Sequence, residues 1–284
     1  MKIGITAATG QLGKLVVESL KQKVASENIV VLVRTPEKAS DLGVEAKAFD
    51  YSNKESQVEA LKGIDTLLLI SGSEVGQREA QHANVIASAK EAGVKKIVYT
   101  SVLHADTSTL SLAVEHIATE KNLKESGLTY TILRNGWYTE NYAGSIGGAL
   151  AGGAFIGSVG DGKISSAARI DFAEAAATVL ATEGHDGKVY ELAGDTSYTL
   201  TDLAAEISAQ TGKTLPYANL PEAEYAKILT SFGLPEFLAQ AIASWDVSAS
   251  KGDLFDDSKT LSALIGRPTT PLAETVKETL ASLS

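Results

Sequence analysis

Residues 2–20, KIGITAATGQLGKLVVESL, carry the chain's most legible chemistry. A short β-branched run feeds straight into Gly10 and Gly13, which head a stretch whose Leu12, Leu15, Val16 and Leu20 share one helical face. A strand–turn–helix of this form aims unpaired backbone N–H groups and the positive helix end at an anion, and a pyrophosphate is the anion such a turn holds. Gly10 lets a phosphate approach the backbone, Gly13 lets the helix pack closely on the strand, and Thr9 is a candidate N-cap.

The ends of the next strand-like runs carry further candidates. After IVVLV (29–33) comes Arg34, with Lys38 close by. An acidic residue there would hold a ribose 2′-hydroxyl, whereas a guanidinium matches a 2′-phosphate, so the expected cofactor is NADPH (NADP). Asp50, closing the third run, suits either the adenine edge or a helix cap. Ser71, Gly72 and Ser73 follow the fourth run, where the chain passes the nicotinamide-side ribose and small residues permit close approach.

What is missing narrows the chemistry. Zero Cys excludes thiol catalysis, thiolate zinc and iron–sulfur sites. The four His (82, 104, 116, 185) form no metal-binding pair, and no metal is expected. None of the nine Tyr has a Lys four residues later, so the Tyr/Lys proton donor of ketone–alcohol exchange is absent, and Ser101 is left with a structural role. No catalytic acid is identified; His104, after the fifth run, and Tyr138 are the candidates. Trp137 and Tyr138 could wall a flat ligand with their rings.

Such residues need a scaffold, and the hydrophobic pattern supplies one. Strand-like runs at 2–6, 29–33, 44–49, 65–70, 96–101 and 130–134 alternate with amphipathic stretches, among them 76–92 and 110–125. That alternation predicts an α/β fold: a Rossmann-type, doubly wound parallel sheet with a smaller, mostly helical C-terminal lobe. The expected division is 1–135 for the NADP-binding part and 136–284 for a substrate-binding lobe, with the 188–192 strand returning to the sheet. Eight Gly within 144–162 suit either a mobile cover or tight turns between short elements.

Bulk properties exclude other classes. The longest apolar runs, such as IVVLV, fall far short of the roughly 20 residues of a membrane span. A net charge of −10 and no basic stripe argue against nucleic acid. No signal-peptide pattern is visible at the N-terminus, so a cytoplasmic location is expected. The oligomeric state is left as monomer or homodimer.

With these residues in place, the chain resembles the NmrA-like branch of the atypical short-chain dehydrogenase/reductase superfamily, nearest to its quinone-reducing members and next to those acting on triphenylmethane dyes. The resemblance spans essentially the whole chain, through TAATGQLG (6–13), ISGSEVGQR (70–78), YTSVLHADTS (99–108), EHIATEK (115–121), YTILRNGWYTENY (130–142), GDGKI (160–164), KVYELAGD (188–195) and SKGDLFDDSKTL (250–261). It implies NADPH-dependent reduction of quinones, with Ala7, Ala8, Thr9, Gly10, Gln11 and Leu12 forming the cofactor turn. It further implies that Asn135, Gly136, Trp137, Tyr138, Thr139 and Glu140 lie along the cofactor and that Arg169 reaches the same region. Ser71, Gly72, Ser73, His104, Tyr138 and Asn141 are then the substrate-binding set. The family's turn has Gly where this chain has Ala7; at positive φ that Ala costs about 1 kcal/mol, and at negative φ nothing beyond a methyl. The missing Tyr/Lys pair fits quinones, because a stabilised hydroquinone anion takes its proton from water or a modest donor. It fits equally a dinucleotide-sensing regulator without turnover, or a reductase of other flat electron-poor molecules.

Overall fold

The computed structural model describes residues 1–283. Along the first half run β1 (Ile3–Thr6), α1 (Gln11–Lys21), β2 (Ile29–Val33), β3 (Glu45–Ala48), α2 (Lys54–Leu61), β4 (Thr66–Leu69), α3 (Arg78–Ala92), β5 (Lys96–Val102), α4 (Ala113–Glu125) and β6 (Thr129–Asn135). Then follow α5 (Thr139–Ala143), α6 (Ile146–Gly152), β7 (Phe155–Gly157), α7 (Arg169–Ala181), β8 (Val189–Leu192) and α8 (Leu200–Thr211). The chain ends with β9 (Tyr217–Asn219), α9 (Glu222–Ser231), α10 (Glu236–Ser250), α11 (Thr260–Ile265) and α12 (Leu272–Leu283). Two compact units result. The first comprises Met1–Asp106, Leu112–Asn135 and Arg169–Glu191; the second comprises Thr107–Ser111, Gly136–Ala168 and the chain from Leu192 onward.

The first unit is built on a seven-stranded sheet of order β3-β2-β1-β4-β5-β6-β8, in which β1 pairs in parallel with β2 and β4, β2 with β3, β4 with β5, and β5 with β6. Every residue of β1, β2 and β4 is buried, as strands covered on both faces must be. One face carries Val30, Leu32, Leu67, Leu69, Ile97 and Tyr99 against Leu61 of α2 and Val85, Ile86 and Ala89 of α3. α1 also packs on α7, whose Ala173, Ala176 and Ala177 are buried. Strand order reverses between β1 and β4, and in such sheets ligands bind beyond the carboxyl ends at that switch point.

The second unit is mostly helical. Its strands are the parallel pair β7–β9, and α8 begins with a reciprocal capping box between Thr199 and Asp202. Its glycine-rich stretch resolves into α6, stopped by Gly153 at φ +79°, and β7. Gly157 and Gly162 pack tightly: a Cβ would lie 2.9 Å from the Asp246 carboxylate at the first and 2.7 Å from the Ala249 carbonyl at the second. Among the described residues no helix is long and apolar enough to cross a membrane.

Candidate functional site

The turn after β1 is shaped by close approach. A Cβ at Gly13 would fall 2.4 Å from the Ala7 carbonyl oxygen, so only glycine lets α1 sit this near the strand end. The N-cap is Gly10 rather than Thr9; its amide donates to the Ala7 carbonyl (2.9 Å), and no side chain caps the helix. The first helical bond runs from the Lys14 amide to the Gly10 carbonyl (3.0 Å), leaving the amides of Gln11, Leu12 and Gly13 at an open, positive helix end. Ala7 itself sits at φ +50°, a left-handed conformation that a Cβ disfavours. Ala8 is buried, while Thr9, Gly10 and Gln11 face outward.

The neighbouring strand ends are tied together by buried polar groups. Thr6 Oγ1 donates to the Leu68 carbonyl (3.1 Å) and accepts from the Ile70 amide (2.9 Å). The Tyr51 hydroxyl lies 2.6 Å from that Oγ1 and from the Ile70 carbonyl, and burial raises its phenol pKa far above the ordinary value, so it acts as a neutral clamp. The Ser71 amide donates to Thr100 Oγ1 (2.9 Å), joining the ends of β4 and β5.

The loop carrying Ser71, Gly72 and Ser73 is anchored from both sides. The Gly72 amide donates to His82 Nε2 (3.0 Å), and its carbonyl accepts from Arg78 Nε (2.6 Å). One oxygen of Glu115 accepts from the amides of Gly76 and Arg78 (2.9 and 3.1 Å). Because Nε2 of His82 accepts, its proton is on Nδ1, facing Thr119 Oγ1 at 3.0 Å. Burial, reinforced by the Arg78 charge, pushes this imidazole down to about 4. His116, 2.7 Å from the Tyr99 hydroxyl, is pushed down to about 3, chiefly by burial. Both rings are structural and neutral.

Arg34 follows β2 with its guanidinium exposed, 3.8 Å from Glu74. Asp50 accepts from the Ser52 amide (2.8 Å), and the cap of α2 falls to Asn53, whose side chain accepts from the Ser56 amide (3.3 Å). His104 follows β5 at φ +52°, the second strained position at this edge. Asn135 ends β6 with its side-chain oxygen buried and without a hydrogen-bond partner. Arg169 opens α7, half-buried. Ala7–Leu12, Arg34, Asp50, Ser71–Ser73 and His104 thus follow the carboxyl ends of strands of the first unit, and Asn135 closes one.

Gly136, Trp137, Tyr138, Thr139, Glu140 and Asn141 belong to the second unit. A Cβ at Gly136 would lie 2.9 Å from the Leu192 carbonyl, which accepts the Gly136 amide at 2.7 Å. Trp137 meets Trp245 edge-on at 5.9 Å. The backbone around Tyr138 bridges to Ala167, and Thr139 spends its hydroxyl on Ser166 (2.8 Å), itself 2.6 Å from the Tyr198 hydroxyl.

A charge cluster centred on the buried Arg134–Glu120 pair escaped sequence reasoning. Arg134, ending β6, grips Glu120 through Nε and a terminal nitrogen (2.9 Å each) and gives its other terminal nitrogen to Asp106 (2.9 Å) and Glu191 (2.8 Å). The bonds to Glu120 and Glu191 raise the pKa of the guanidinium further, so it is a permanent charge. Burial opposes ionisation of Glu120, but bonds from Arg134 and Ser101 outweigh it and hold the carboxyl below its ordinary value. Ser101 donates to Glu120 at 2.7 Å, which is a structural task.

A doubly wound sheet whose first turn opens on an uncapped, glycine-cradled helix end defines a dinucleotide-binding protein. The NAD(P)H-binding family matches residues 7–183, and the chain belongs to it. It is 59% identical over 277 residues to Quinone oxidoreductase 2 of Escherichia coli (strain K12), covering 96% of this chain and 97% of that protein. The crystal structure of the E. coli NADPH-dependent quinone oxidoreductase complexed with NADPH superposes with a TM-score of 0.96 at 58% identity, covering 98% of this chain and 99% of that one. Triphenylmethane reductase of Citrobacter sp., complexed with NADP(H), follows at 0.94 and 39%, covering 98% and 100%.

Proposed function

We propose that this chain is an NADPH-dependent quinone oxidoreductase of the cytoplasm, working without flavin or metal. The observation that carries the reading is the 59% identity to a quinone oxidoreductase across nearly the whole of both chains. The cofactor turn supports it: Gly13 lets α1 pack against the end of β1, where any Cβ would strike the Ala7 carbonyl, and three amides stand at the helix end. In this reading the residues from Ala7 to Leu12 hold the pyrophosphate, Arg34 the 2′-phosphate, and Ser71 and Asn135 the nicotinamide half. The bound nicotinamide supplies the hydride. The protein binds and orients: His104 and the loop at Ser71–Ser73 flank the quinone, and no side chain is required as an acid. Loss of NADPH absorbance on mixing with a panel of quinones tests this. No consumption, with equal binding of oxidised and reduced cofactor, would instead favour a dinucleotide sensor, which the missing Tyr/Lys pair also fits.

A further inference from the structure

We propose that Glu191 is a positioning residue for His104, fixing it in a left-handed backbone conformation from which its imidazole donates a hydrogen bond to an oxygen of the bound quinone; this rests on the quinone-reductase reading. Left-handed backbone at a residue with a Cβ persists only where the surroundings over-determine it, and such positions cluster at functional sites. His104 stands at φ +52° at the carboxyl end of β5, beside the strand that feeds the Ser71–Ser73 loop. Two amide bonds fix the chain there. Leu103 donates to the Asn135 carbonyl (2.9 Å), and His104 donates to Glu191 Oε2 (2.8 Å). The same carboxylate oxygen lies 3.9 Å from His104 Nδ1, outside hydrogen-bond distance, so Glu191 places the ring through the backbone amide that it holds.

Glu191 can do this because its other oxygen is immobilised. Oε1 accepts from Arg134 at 2.8 Å, and Arg134 is pinned by Glu120 and Asp106. Glu120 is further held by Ser101 and, at 3.3 Å, by Lys124. Strands β5, β6 and β8 and helix α4 therefore all bear on one carboxylate, and that carboxylate bears on one strained residue.

The test uses Glu191→Gln, which preserves size but leaves one acceptor oxygen for two donors. Exchange of the His104 backbone amide, followed by NMR in the cofactor-loaded protein, is expected to speed up about tenfold. Quinone kcat is expected to fall about tenfold while the KM for NADPH stays within about twofold. His104→Asn removes the ring at a residue type that tolerates the left-handed backbone. In that background Glu191→Gln should cost less than about twofold, because its effect runs through the ring. Unchanged amide exchange, or losses that multiply in the double variant, would overturn the positioning role. An unmodified chain that reduces no quinone overturns the functional reading itself, which the amide measurement distinguishes.

Discussion

The guanidinium of Arg34 lies 3.8 Å from the carboxylate of Glu74, with both side chains more than half exposed. An exposed pair at that distance is weak and gives way easily to a phosphate. It nonetheless sets a negative charge beside the position proposed for the 2′-phosphate. Arg34→Ala should weaken NADPH roughly ten- to a hundredfold and NADH hardly at all, since charge-assisted bonds are lost only from the former. Glu74→Gln should tighten NADPH a few-fold and leave NADH unchanged. Titration of reduced-cofactor fluorescence reads both constants, and equal losses for the two cofactors would refute the assignment.

Ala7 at φ +50° answers the question its sequence position raised: the departure from glycine carries a backbone cost. Ala7→Gly should stabilise the protein by about 1 kcal/mol, partly offset by the freer unfolded chain, and raise Tm by roughly 2 °C. Gly13→Ala should do the reverse and more, because its Cβ would meet the Ala7 carbonyl at 2.4 Å. Calorimetry with and without NADPH checks both; a lower Tm for Ala7→Gly would show that the turn relaxes around alanine.

Two buried carboxyls should give stability opposite pH dependences. Burial pushes Asp246 from 3.8 up to about 6, against the pull of the Ser158 amide. The folded state therefore holds this proton more tightly, and the contribution of Asp246 declines as pH rises through that window. Asp246→Asn keeps an acceptor for Ser158 and should stabilise by about 2–3 kcal/mol at pH 8 but little near pH 4. Glu120 has the other sign: its carboxyl is held below 4.5, so its stabilisation is present above that pH and fades as acid protonates it. Glu120→Gln should accordingly destabilise at pH 7 and converge on the parent in acid. Thermal melts from pH 8 down to well below 4.5 decide both; an Asp246→Asn gain that did not grow with pH would sink the first prediction.

The sheet and the close turn after β1 were legible because their signals are local. Strands buried on both faces must be continuous apolar runs, and a helix that touches a strand must offer glycine at the contact, as Gly13 does. The charge cluster was not legible, because Arg134 meets Glu120 and Glu191 at separations of 14 and 57 residues, which no periodicity links. Its one local sign was a charged residue ending the apolar YTIL run. The membership of Arg169–Glu191 in the first unit was equally hidden, since an alanine-rich helix such as α7 can pack on many partners and its choice of α1 is tertiary.

His104→Ala and Tyr138→Ala bear on whether a side chain supplies an acid. A hydroquinone anion is stabilised enough to take its proton from water, so either change should lower quinone kcat by no more than tens-fold. His104→Ala also leaves a non-glycine residue at φ +52°, so the fold must be checked by melting alongside the kinetics. Tyr138 holds its place through backbone bridging to Ala167, which the substitution does not remove, so its loss should report the side chain as a whole. A thousand-fold fall in kcat for either variant, with the melt unchanged, would mean that a proton donor is essential and that orientation by the binding groups is insufficient to account for turnover.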